Sequence, residues 1–79
     1  MPDQTHELDA RDIPPYKKHS TIFQTYDALE IGSAFVLVND HDPKPLRYQL
    51  AAIQGRDCFS WEYLEEGPQI WKIRIGKKS

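Results

Sequence analysis

A chain of 79 residues with ten basic and twelve acidic side chains carries a net charge of −2, and it is 28% charged and 39% hydrophobic. A chain this short buries only about 60% of its unfolded surface and feeds one core rather than two, and its composition is that of a globular rather than a disordered chain. The slightly acidic balance argues against holding nucleic acid by broad phosphate neutralisation, and a single cysteine, Cys58, excludes an internal disulfide and an all-cysteine metal site.

Residues 1–5 read as a polar, disordered tail before one domain over 6–79. The N-terminus MPDQTHELDA has no basic-then-apolar signal pattern, and the longest apolar run, Ala34 to Val38, is far short of the roughly 20 residues of a membrane span. A soluble cytoplasmic protein is expected. His6 to Ala10 is the first candidate strand, weak by propensity because only Leu8 is strongly apolar. Pro14 and Pro15 suit a helix entry, where amide donors have no intrahelical partner, so a helix is predicted from about Pro15. His19, Ile22, Phe23, Tyr26 and Leu29 then recur at the spacing of an amphipathic stripe, with Gly32 as the stop.

The run AFVLV, bounded by Gly32 and Asn39-Asp40, predicts a buried central strand. It leads into VNDHDPKP, where Asp42 before Pro43 has the type and place of a helix N-cap. Leu46, Leu50 and Ile53 form a second helical stripe that ends at Gly55. Phe59, Trp61 and Tyr63 alternate in the manner of a strand, and Trp71, Ile73 and Ile75 share their face if Glu66-Gly67-Pro68 is a hairpin loop. That register sets Glu62 opposite Lys72 and Phe59 opposite Ile75. The basic residues Lys72, Arg74, Lys77 and Lys78 read as a solvated strand end and terminus.

The order is therefore βαβαββ, an α+β two-layer sandwich with both helices on one face of a mixed four-stranded sheet. Parallel strands one and two end on one edge of that sheet, close to both helix N-termini. Ligands of parallel α/β sheets bind beyond the carboxyl ends of the strands, and helix N-termini favour anions. Arg11, His19, Asn39, His41 and Asp42 are thus the candidate ligand-binding residues, and each has a bland alternative. His41 either helps cap the second helix or acts as a ligand, anion binder or proton-transfer group. His19 is either a core histidine satisfied by a backbone carbonyl or a group facing the edge. Arg11 is either an ion-pair partner of Asp9, Asp12 or Asp40 or an anion clamp, and Asp42 is either a cap or a base. No HExxH, CxxC, GxSxG or glycine-rich phosphate loop is present. A zinc or iron site could use His19 and His41 with Asp9 or Asp40, or His6 brought in by the fold.

LDARDIPP, KHSTIF, VNDHDPKPL, FSWEY and IWKIRI together resemble the family catalogued as domain of unknown function 2249, over nearly the whole chain from about Leu8 to Gly76. That family looks like a relative of the TusA/SirA sulfur carriers, and the resemblance implies their two-layer βαβαββ fold. TusA-like carriers present a cysteine in a C-P-x-P motif at the start of helix one. This chain has Ile13-Pro14-Pro15-Tyr16 there, so the persulfide chemistry, which needs a nucleophilic thiolate, does not transfer. Cys58, after helix two, reads as a small apolar residue. The resemblance also implies an accessory role beside hemerythrin-like or cupin proteins in iron, oxygen or nitrogen-oxide metabolism. The expectation is a binding module for a small anion or a protein partner, with no cofactor specified. A zinc or iron protein using His19 and His41 is the alternative, and an RNA-binding domain is a weaker one.

Overall fold

The computed structural model describes residues 6–78; the expected tail, residues 1–5, lies outside them. The elements are β1 (His6–Asp9), a single 3-10 turn (Ala10–Asp12), α1 (Pro15–Asp27), β2 (Ala34–Asn39), α2 (Lys44–Gln54), β3 (Phe59–Glu66) and β4 (Trp71–Lys77). The four strands form one sheet in the order β1-β2-β4-β3, in which β1 and β2 are parallel and the other pairings are antiparallel. This is the expected βαβαββ α+β arrangement with a mixed four-stranded sheet.

Strand alternation decides which side chains meet the helices. In β2, Phe35 pairs with Ile75 and Leu37 with Ile73, and these four are fully buried. They share one core with Ile22 and Tyr26 of α1, Leu46 and Leu50 of α2, and Phe59 of β3. Burying a side chain of this size contributes about 1.5–3 kcal/mol, which is why these apolar positions fix the inner face. The opposite parity carries Glu7, Lys72, Arg74 and Glu62. Arg74 pairs with both Val36 and Glu62, and Lys72 pairs with Val38 and reaches Glu7 at 4.0 Å across β2, so on this second face charged residues surround the two valines of β2.

Several local expectations are corrected by tertiary context. Ala10 lies in the 3-10 turn rather than in β1, where the Asp9 carboxylate accepts the Arg11 amide and starts the turn. α1 stops at Asp27, before Leu29 and Gly32. Its open C-terminal carbonyls are met by Lys77, whose Nζ donates to Asp27 O at 3.2 Å and Leu29 O at 3.0 Å, so Lys77 is a helix cap supplied from β4 and not a solvated strand end. Ile53 is 63% exposed because α2 turns it away from the sheet in its last turn.

The hairpin register also differs. Glu62 faces Arg74 and Phe59 faces Lys77, while Lys72 faces Glu65. The connection between the strands runs over residues 67–70, closed by the Gly67 amide donating to Ile70 O at 2.8 Å, and Leu64 is an extra residue in β3 where the register shifts. The longer connection slides the partners along the ladder, but by an even step before the bulge, so Trp61 and Tyr63 keep the same face as Ile75 and Ile73. Gly67 has φ +46 and the Trp71 indole packs over it, within 2.7 Å of where a Cβ would stand, so a larger residue is excluded twice. No helix of the described residues is long and apolar enough to cross a membrane.

Candidate functional site

The C-terminal end of β2 and the starts of both helices enclose a small cleft. α1 contributes Lys18, His19 and Ile22 from its first two turns, β2 ends there with Asn39, the following loop brings His41, and α2 begins with Pro43, Pro45 and Leu46. The free volume is about 110 Å³, room for a group of a few heavy atoms. Ile22 and Leu46, each 3% exposed, provide an apolar wall.

Asn39 is the distinguishing residue of this cleft. It is 3% exposed, the one buried polar residue among those described, and it stands on the inner face of the sheet because it continues the Phe35, Leu37 parity. Its Oδ1 has no hydrogen-bond partner. A buried acceptor left unpaired costs about 1–3 kcal/mol, so a side chain chosen for stability alone would be apolar there.

The two histidines flank Asn39 differently. Nδ1 of His41 lies 2.7 Å from Oδ1 of Asp40, a contact that fixes the ring and leaves Nε2 unengaged by it. The hydrogen bond from His41 holds the Asp40 carboxyl below its usual range, against a smaller opposing effect of desolvation, and Lys18 adds to the lowering. His19 is exposed, with its ring tilted against Phe23 at 6.2 Å between centroids. The core reading of His19 is therefore corrected. One turn into α1 it lines the cleft at the end of β2.

Arg11 and Asp42 are engaged elsewhere. Arg11 grips Asp9 through Nε at 2.8 Å and Nη2 at 2.6 Å, and its amide donates to the same carboxylate at 3.0 Å. The guanidinium hydrogen bond lowers the Asp9 pKa to about 2 and raises that of Arg11. Arg11 is thus an ion-pair partner and does not line the cleft. Asp42 makes no cap hydrogen bond, because Pro43 occupies the N-cap of α2. Its carboxylate instead accepts the Tyr63 hydroxyl at 2.8 Å. The helix N-termini are also less open than expected: Pro15 and Pro45 each lack an amide hydrogen, and Lys17 and Leu46 donate back to Pro14 O and Pro43 O. Side chains rather than helix amides dominate the cleft.

His6 lies at the other end of β1, beside Thr21, Gln24 and Thr25, so the three histidines do not meet. Among the described residues no three of His, Cys, Asp and Glu are grouped to hold a metal ion. Lys18 was not singled out by the sequence. Its signal was adjacency to His19 in the first turns of a helix leaving the strand-end edge. Cys58 lies just before β3, where its amide donates to Gly55 O at 3.1 Å and its carbonyl accepts the Tyr26 hydroxyl at 3.1 Å.

The family model described as Uncharacterized conserved protein (DUF2249) matches residues 7–77. Comparison with curated proteins and with solved structures finds no match to this chain.

Proposed function

The chain belongs to the uncharacterised DUF2249 family, and from that premise we propose that it is a binding module for a small oxyanion that still carries a proton, such as hydrogen phosphate or bicarbonate. The observation that carries this reading is the unpartnered Oδ1 of buried Asn39 beside Lys18, His19 and His41. Lys18, and the imidazoles when protonated, supply positive charge for the anionic oxygens, and Asn39 supplies an acceptor for the remaining O–H. A fully deprotonated anion would leave Asn39 unsatisfied, and a neutral apolar group would leave Lys18 unpaired.

An accessory place beside hemerythrin-like or cupin proteins, in iron, oxygen or nitrogen-oxide metabolism, is the cellular setting that the family resemblance implies for such a module. The same resemblance implies a TusA-like relationship, with which the βαβαββ order agrees.

The test is an amide-resolved NMR titration with phosphate, bicarbonate and zinc. Saturable shifts confined to residues 18–22 and 39–46 with either oxyanion, lost in Asn39→Leu and kept in Arg11→Met, are expected. Zinc alone shifting these residues, or no localised response at all, would overturn the reading.

A further inference from the structure

We propose a second, separate ligand site, in the groove between the outer side of α2 and the edge strand β3, that takes a flat aromatic molecule bearing a carboxylate or phosphate. Arg47, Tyr48 and Ala51 line it from α2, Arg56 and Asp57 from the following turn, and Phe59 and Trp61 from β3. Its volume is about 670 Å³, within the roughly 300–1,000 Å³ of small-molecule sites. The Asn39 cleft is lined by different residues throughout.

Two observations define the ligand. The first is charge: Arg47 and Arg56 are both exposed, and among the described residues neither has a carboxylate within ion-pair distance, so two guanidiniums stand against Asp57 alone. Guanidiniums in this state favour planar oxyanions, which they bind with paired, charge-assisted hydrogen bonds. The second is the apolar surface: Tyr48 is 64% exposed, and half-buried Trp61 stands edge-on to Phe59 at 6.5 Å and to Tyr63 at 6.3 Å. Rings presented in this way accept a flat apolar body. An inorganic anion satisfies the arginines and leaves the rings uncovered, and a neutral arene does the reverse. An aryl carboxylate or a nucleoside monophosphate meets both.

The experiment uses the Asn39→Leu chain, so that anions in the cleft do not contribute, and follows the Trp61 indole N–H and the amides of residues 47–61 by NMR. Probes are benzoate, adenosine monophosphate, and the controls benzamide and inorganic phosphate. Saturable shifts with benzoate, the monophosphate or both are expected, with the responding probe identifying the head group. Benzamide should bind at least ~10-fold more weakly, since losing a charged hydrogen bond of about 1.5–3 kcal/mol corresponds to that change or more, and inorganic phosphate should bind more weakly than the monophosphate because it leaves the rings uncovered. Arg47→Gln/Arg56→Gln should weaken binding similarly. No saturable response to either charged probe, equal affinity for benzamide, or binding that survives the double arginine substitution would overturn the site without touching the Asn39 proposal.

Discussion

The Tyr63 hydroxyl donates to the Asp42 carboxylate across 21 residues of chain, at 2.8 Å. This contact ties the β2–α2 loop to the hairpin and explains why the acid that looks like a helix cap does not cap. Removing it in Tyr63→Phe should destabilise the fold by about 0.5–1.5 kcal/mol, the usual net value of one hydrogen bond. Asp42→Ala combined with Tyr63→Phe should cost less than the sum of the two single losses, measured in urea unfolding as a double-mutant cycle.

Alkaline pH should act through the same residue and through Tyr26. Burial raises both phenol pKa values, and at Tyr63 it outweighs the opposing effect of the Trp61 N–H, with Asp42 adding to the rise. A raised folded-state pKa gives stability that is complete below the unfolded value of about 10 and is lost as pH climbs through the folded value. Unfolding free energy should therefore fall above about pH 10, and Tyr26→Phe with Tyr63→Phe should flatten that fall.

At the acid end the Asp9 carboxyl should titrate near 2, and in Arg11→Met it should return towards the ordinary value of about 4. Because the folded pKa is lowered, the ion pair contributes above the unfolded value and is lost as pH drops towards 2. Side-chain carbonyl NMR across pH 1–6 reads the midpoint directly.

The unpartnered Asn39 oxygen makes opposite predictions for stability and for binding. Asn39→Leu removes a buried, unsatisfied acceptor and should stabilise the chain by about 1–3 kcal/mol in denaturant unfolding, while abolishing oxyanion shifts in the cleft. Destabilisation of that size would mean that Asn39 is held for the fold rather than for a ligand.

Lys77 and the C-terminus of α1 form a further tertiary dependence. Lys77→Met should remove two hydrogen bonds to Asp27 and Leu29 carbonyls and one favourable charge at the negative end of the helix, costing about 1 kcal/mol. Faster amide exchange confined to residues 24–29 would be the local signature.

The sequence by itself determined the element order and the inner face. Apolar spacing is a one-dimensional signal, so Phe35, Leu37, Ile22 and Leu50 could be assigned to the core without coordinates, and Gly and Pro marked the ends of the helices. It also located the strand-end edge, because a parallel β1-α1-β2 unit brings the end of β2 and the starts of both helices together, and His19, Asn39 and His41 do share that cleft. Tertiary structure alone decided which charged groups were already taken. Arg11 is bound by Asp9, Asp42 by Tyr63, and Lys77 by the end of α1. The hairpin register, too, followed from the length of the 67–70 connection and the extra Leu64, neither of which changes the alternation of apolar residues. Hydrogen bonds and ion pairs depend on distances of a few tenths of an ångström between residues far apart in the chain, and hydrophobic patterning carries no information at that scale. The arginine and tryptophan groove between α2 and β3 arises in the same way, from residues that share no motif and meet only when the helix settles beside the edge strand.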